Sequence, residues 1–314
     1  MKLRFVFNPR SGRPRRNAPI LPMLRAFISA RALDADLFCT EGPGHATELA
    51  RDAVASGCLR VVAVGGDGTV NEVAQALIHT PAAMGLVPCG SGNGLALHLG
   101  LPRAFPEALE LAAGTSGRMA ELDTGSANGL PFVNAMGLGL DADVARRFNR
   151  LVRRGLPAYA RTALSAFLSR TTERCHVSVA GHRESIDALL IAVANSDQYG
   201  NNARIAPRAR VDDGVLDLVV VRPVGVLSAC VLGARLFLGG LDRSEGVRRL
   251  SGARFLIERP AAGLIHTDGE THMASASVEV LVRPRSLRLI VPTDCAAVAP
   301  AEDRTATAFA LQLP

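Results

Sequence analysis

The run RVVAVGGDGTVNEV, Arg60 to Val73, constrains this chain more than any other stretch. Four apolar residues, Val61 to Val64, read as a buried strand that ends at a turn. Gly65, Gly66 and Gly68 then bracket a single acid, Asp67. Val70, Val73, Ala74, Leu77 and Ile78 follow at i, i+3, i+4, i+7 and i+8, one face of a helix. A strand, a glycine turn and a helix make an anion site in outline. Without Cβ atoms the backbone N–H groups can close on a ligand, and the helix N-terminus adds partial positive charge. Phosphate suits that cradle, and an acid inside it points to magnesium or to proton transfer. The spacing is neither G-x-G-x-x-G nor a Walker loop, which needs a lysine. The only lysine is Lys2; the other basic residues are arginines. A plain α/β turn is the bland alternative, and the order GGDGT followed by NE is too unusual to favour it.

At 314 residues, 48% apolar and 20% charged, the chain can bury one large or two medium cores. The absence of tryptophan and the presence of only two tyrosines weaken any base-stacking surface, so no nucleic-acid partner is expected. The net charge of +6 suits nucleotide phosphates or an anionic membrane, and its densest patch is Arg147 to Gly155. The six cysteines are widely spaced, against structural zinc or a disulfide framework. The start, MKLRFVFNPRSG, lacks a signal-peptide core. The longest apolar stretch, Val224 to Gly240, contains Arg235 and is short of a bilayer span. A cytoplasmic protein with peripheral contact at the inner membrane face is the expectation; oligomeric state stays open.

Strand and helix signals alternate over residues 1–125, which predicts a nucleotide-binding α/β domain, a parallel sheet with helices on both faces. Ligands sit at the carboxyl ends of such strands. Asn8, Thr40, Asp67 and Ser91 all fall just past strand ends. Residues 126–290 are strand-rich with Asp-Gly and Pro turns, which predicts a β-sandwich-like second domain. ASVEVLVR and RLIVPT read there as two separate strands. Residues 291–314 form a tail with the option of returning to the first domain.

Three further constellations carry chemistry. PCGSGNGLALHLG, Pro88 to Gly100, is a second glycine-rich turn, in which Ser91 and Asn93 can bond phosphate or ribose. The acids Asp212, Asp213 and Asp217 suit magnesium, although the sequence alone favours a plain Asp-Gly β-turn. HTDGETH, His266 to His272, offers Asp268 and Glu270 as acceptors for a hydroxyl proton, or a simple hairpin turn. His266 and His272, with no third partner, make a poor metal site.

In order, NPRSG, GGDGTVNEV, GSGNGLA, FVNAMGLGLDADV, APRARVDDGVLD and DGE resemble the diacylglycerol kinase catalytic family, which includes bacterial lipid kinases and sphingosine kinases. The resemblance covers nearly the whole chain. It implies an ATP- and Mg2+-dependent lipid kinase that transfers the γ-phosphate to a diacylglycerol or sphingoid-type hydroxyl at a membrane surface. It implies nucleotide contacts from Asn8, Thr40, Gly65, Gly66, Asp67, Gly68, Thr69, Asn71, Ser91 and Asn93. Asp213 matches a magnesium position, with the backbones of Arg210 and Val215 beside it and Asp123 in the linked acid network. Glu270 matches the proton acceptor, Asp268 is the neighbouring candidate, and Asp67 counts with the catalytic acids. The chain departs from the family at Gly94, where an aspartate usually follows the loop asparagine, and at Gly200 to Asn202, where three glycines are usual. An NAD kinase-like phosphotransferase and a catalytically silent nucleotide-binding module are the competing readings. VDDGVLD and the late DGE speak for the lipid kinase.

Overall fold

The computed structural model describes residues 2–12, 19–114, 116–149, 156–169 and 172–299. Strands β1 (Leu3–Phe7), β2 (Ala35–Cys39), β3 (Arg60–Gly65) and β4 (Ala83–Pro88) pair in parallel in the order β2-β1-β3-β4. Between them run α1 (Ile20–Ala30), α2 (His45–Ala55) and α3 (Asp67–Leu77), followed by α4 (Gly94–His98) and α5 (Phe105–Ala112). Because side chains alternate across a strand, each face collects its own set. Phe5, Phe7, Val62 and Val64 pack under α1 and α5 with Leu24 and Leu109. Val6, Val61, Ala63 and Met84 pack under α2, α3 and α4 with Ala50, Val73 and Leu95. This is the expected parallel sheet covered on both faces.

β5 (Arg118–Ala127) leaves this lobe and turns through β6 (Leu130–Phe132) into β7 (Ala135–Gly139). The second lobe follows with β8 (Glu173–Val179), β9 (His182–Ala188), β10 (Leu190–Ala194) and the short pair β11 (Gln198–Gly200) and β12 (Ala203–Arg204). It continues with β13 (Leu216–Val221), β14 (Val247–Gly252), β15 (Arg254–Glu258), β16 (Gly263–Thr267), β17 (Glu270–Ala274) and β18 (Ser277–Val291). A six-stranded antiparallel sheet, β14-β13-β10-β7-β16-β17, stacks on β5, β8, β9, β15 and β18. Met136, Leu138, Val193 and Leu218 from one sheet interlock with Val177, Phe255, Ile257 and Val280 from the other. The second lobe is the expected sandwich. On the outer face of the six-stranded sheet lie α6 (Leu140–Asn149), α7 (Leu156–Leu168) and α8 (Val226–Leu238). The arginine patch beyond Asn149 and the tail from residue 300 onward lie outside the described residues.

The two segments ASVEVLVR and RLIVPT are halves of one strand. β18 pairs with β5 along both halves, and its register breaks between Arg283 and Leu287. Pro284 supplies no ladder donor, and Arg285 sits at φ 49°, so the strand bends without ending. The second half of β18 pairs in parallel with β4, through Arg288 with Ala83 and Leu289 with Met84. The chain therefore returns to the first lobe inside β18. Beyond it, Cys295 and Val298 are buried in the first-lobe core. One ten-stranded sheet runs through both lobes.

Candidate active site

The glycine turn after β3 and the one after β4 close on each other. A Cβ on Gly90 would lie 2.6 Å from Gly66 Cα, so the two backbones touch only because neither carries a side chain. Asp67 is the clasp. Its Oδ2 accepts the Asn93 N–H at 2.8 Å and its Oδ1 the Gly94 N–H at 2.6 Å, at the first turn of α4. Burial raises the Asp67 pKa while these backbone donors pull it down. Asn93, at φ 54°, folds its amide back onto Gly90 through both N–H and C=O. Ser11 Oγ accepts the Gly66 N–H at 3.1 Å, and Asn8 Nδ2 donates to Thr69 Oγ1 at 3.0 Å. Thr40 is buried at the end of β2, its N–H on Phe7 O. Asn8, Thr40, Gly65 to Thr69, Ser91 and Asn93 thus gather on one sheet edge, with Gly68 and Ser91 exposed. Arg10 is exposed on the same edge and is the one cation of the loops 8–12, 40–44, 65–69 and 89–93. Sequence reading passed over it because arginine is abundant throughout the chain.

The second lobe is latched to this edge. Asn201 N–H donates to Gly92 O at 3.0 Å, and Gly200 lies against Gly92. Here the usual glycines are replaced by Asn201 at φ 50° and Asn202 at φ 65°. Asparagine is the side chain that best tolerates the left-handed region, so the departure keeps the backbone shape. His98 Nδ1 meets Asp197 Oδ1 at 2.6 Å, a second tie between α4 and the second lobe.

A third tie is Asn71, 2% exposed, whose Nδ2 donates to Asp268 Oδ2 at 2.5 Å. The Asp268 carboxylate also accepts the N–H groups of Val133, Asn134 and Ala135 at 2.7, 2.8 and 3.0 Å. Four donors fill its acceptor sites, which leaves no lone pair for a substrate proton. Burial raises its pKa against those bonds. Asp268 and Gly269 both have positive φ, as the two-residue hairpin between β16 and β17 requires. That hairpin turns Glu270 outward to an exposed position at the start of β17. The Glu270 pKa is raised by partial burial, then by the Glu72 and Asp268 charges. Glu72, on α3, accepts the Ala46 N–H on Oε2 at 3.0 Å. The hairpin is held from behind by His266, whose Nδ1 accepts the Gly269 N–H at 3.3 Å and whose Nε2 lies 2.9 Å from Asp141 Oδ2. Tyr199 donates to the same Asp141 oxygen at 2.5 Å. Burial lowers the His266 pKa, and the Asp141 contacts outweigh it to raise the balance. His272 instead meets Thr267 Oγ1 at 3.1 Å.

The remaining acids cluster where the Asp213-Gly214 turn meets β5 and the bend in β18. Asp123, 2% exposed, accepts the Gly214 N–H at 2.7 Å and the Arg285 N–H at 2.8 Å, so it ties the Asp213-Gly214 turn to the bend in β18. Asp212 pairs with Arg210 at 3.0 Å and accepts the Ala299 N–H at 2.6 Å. Asp213 is exposed, and partial burial with the charges of Asp217, Asp123 and Asp212 pushes its pKa up to about 6. Among the described residues no three His, Cys, Asp or Glu side chains form a ready-made metal cage. One exposed carboxylate crowded by other acids offers the oxygen chemistry of a hard divalent cation that keeps several waters.

Residues 2–127 match the family model described as the diacylglycerol kinase catalytic domain. Residues 134–291 match the YegS C-terminal NAD kinase beta sandwich-like domain. A protein of Salmonella paratyphi A named "Probable lipid kinase YegS" is 30% identical over 80% of this chain and 84% of its own. A "Probable lipid kinase YegS-like" from Enterobacter sp. (strain 638) is 29% identical over the same shares. In fold, a crystal structure of a diacylglycerol kinase from Bacillus anthracis superposes with a TM-score of 0.71 at 21% identity, covering 94% of this chain and 98% of that one. The class is that of the lipid kinases built from an α/β lobe and a β-sandwich lobe. The chain belongs to the diacylglycerol kinase family.

Proposed function

We propose that this chain is an ATP- and Mg2+-dependent lipid kinase acting on a diacylglycerol or sphingoid-type hydroxyl at a membrane surface. The observation that carries the reading is the pairing of two clasped glycine loops with one free carboxylate, Glu270, beside α3. The loop N–H groups, the α3 N-terminus and Arg10 bind the polyphosphate, with Ser91 and Thr40 at its edge. Asp67 acts by holding the loops in register. A divalent cation held by Asp213 with the carbonyls of Arg210 and Val215, in the field of Asp123, supplies charge neutralisation when bound. Glu270 takes the hydroxyl proton as the lipid oxygen bonds to the γ-phosphorus and the bond to the β–γ bridging oxygen breaks, releasing ADP. Its raised pKa makes it a stronger base than an ordinary glutamate. Asp268, with four donors already on it, positions the turn rather than accepting the proton.

The test is ATP consumption with Mg2+ against diacylglycerol, sphingosine, ceramide, monoacylglycerol and NAD. A lipid-dependent signal lost in Asp67→Ala supports the reading, and Glu270→Gln should lower kcat by roughly 10²- to 10⁴-fold with nucleotide affinity nearly unchanged. Loss of ATP binding in Glu270→Gln would sink its role as the base. Turnover with NAD alone would move the chain to the NAD kinase-like reading, which the description of its second-lobe match keeps in view. ATP binding without turnover on any acceptor would leave the silent module.

A further inference from the structure

α8 is an anomaly in a folded chain. All its residues but Ser228, Gly233 and Arg235 are apolar, yet none is buried. Its partly covered residues Leu232 and Leu236 rest on the outer face of the six-stranded sheet. Leu227, Val231 and Leu238 point the other way and are 85, 52 and 86% exposed. At i, i+4 and i+11, with Ala234 between, they form one stripe. α7 covers the same sheet face through Phe167 and exposes Leu164 and Leu168 on its outer side. Six of the large apolar residues exposed on the described surface lie on these two helices, counting Val226. Neither helix carries an acid. Their exposed charges are Arg161 and Arg235, flanked by exposed Arg222 and Arg243. Asp242 is turned inward onto Arg208 at 3.0 Å, leaving Glu245 as the near acid.

The position of the stripe matters as much as its chemistry. Asn202 Nδ2 donates to Phe237 O at 3.2 Å, while the neighbouring Asn201 holds Gly92 of the second glycine loop. The last turn of α8 is therefore one hairpin away from the phosphate-binding edge. No helix among the described residues is long and apolar enough to cross a membrane. An apolar stripe edged by arginines on a short helix is the pattern of a segment lying in the headgroup plane.

We propose that the outer faces of α7 and α8 dock on an anionic phospholipid bilayer, which brings the cleft to the headgroup layer. The choice of a bilayer over a protein rests on the lipid-kinase reading and on the arginine-only charge of both helices. A lipid hydroxyl then reaches Glu270 without leaving the interface.

The experiment is sedimentation of the full chain with phosphatidylcholine vesicles, with and without phosphatidylglycerol. Binding should require phosphatidylglycerol. It should fall at least about tenfold in Leu227→Glu/Leu238→Glu, since two leucines leave the apolar layer and two like charges enter the headgroup field. Leu164→Glu/Leu168→Glu should do the same, so the result does not hang on one helix. Thermal unfolding and turnover of a water-soluble short-chain acceptor should be unchanged in both pairs. The proposal is overturned if the chain ignores vesicles, if neutral vesicles bind equally, or if neither pair changes binding. It is also overturned if the chain dimerises and Leu227→Glu/Leu238→Glu makes it a monomer, because a second copy then covers the face. Substitution-sensitive vesicle binding with no acceptor phosphorylated would sink the kinase reading and leave the docking face standing.

Discussion

Two acids two residues apart, Asp268 and Glu270, look alike in the sequence and have opposite fates. Asp268 is saturated by Asn71 and three backbone N–H groups, whereas Glu270 is exposed at the rim. Asp268→Asn should destabilise the fold by about 2–4 kcal/mol, read as a lower unfolding midpoint. In either amide orientation the NH₂ group faces two of the four former donors and strands them. If Asp268 were instead the proton acceptor, that variant would keep its midpoint and lose only turnover. The Glu270 pKa is raised, in part by Glu72, so the acid limb of kcat/KM should lie above the range of an ordinary glutamate. Glu72→Gln keeps an acceptor for the Ala46 N–H and removes the charge, so that limb should move to lower pH. A pH profile of the two proteins checks the sign, and an unmoved limb would place the titrating group elsewhere.

At the scale of elements, the site is a set of strand-to-helix turns that must pack backbone against backbone. A Cβ on Gly92 would lie 2.5 Å from Asp67 Oδ2 and 3.8 Å from Gly200 Cα. Gly92→Ala should therefore push Asp67 off the α4 N-terminus and loosen the hairpin that carries Asn201. The expected result is a rise in nucleotide KM of about tenfold or more, with a lower unfolding midpoint, measured by initial rates and calorimetry. Gly129→Ala is the matched control, because a side chain there meets open space and adds only the strain of φ 85°. The bend in β18 belongs to this scale too. Arg285 keeps its left-handed backbone because Asp123 accepts its N–H, and the same carboxylate holds the Asp213-Gly214 turn. One buried acid therefore couples the strand that joins the lobes to the proposed cation turn.

At the scale of the whole molecule, the ten-stranded sheet makes the two lobes one mechanical unit, so events at the seam should register in global stability. The Asp213 pKa is raised in the fold to about 6 from an unfolded value near 3.8. Its contribution to stability is thus fully present below the unfolded value and lost as pH rises through about 6. A divalent cation on Asp213 would offset that loss, so added Mg2+ should raise the unfolding midpoint more above pH 6 than below it. Asp213→Asn should remove both the cation effect and its pH dependence. A midpoint indifferent to Mg2+ at every pH would argue against the cation turn. Much of this molecule was legible in the linear chain. The strand–turn–helix at Val61 to Leu77 and the alternation over the first lobe follow from side-chain periodicity and glycine chemistry, which are local. The strand-rich second half was legible for the same reason. The single strand Ser277–Val291 was not, because Pro284 and Arg285 look like an ending unless β5 is there to pair on both sides. Nor could local pattern tell that Asp67, Asp123 and Asp268 spend their carboxylates on backbone N–H groups from distant segments, while Glu270 and Asp213 keep theirs exposed. Spacing and residue type act over a few residues, and they were enough to place the elements and the loops that bear the chemistry. Which acids serve as clasps and which stay exposed depends on donors brought from far along the chain, so it emerged only with the folded molecule.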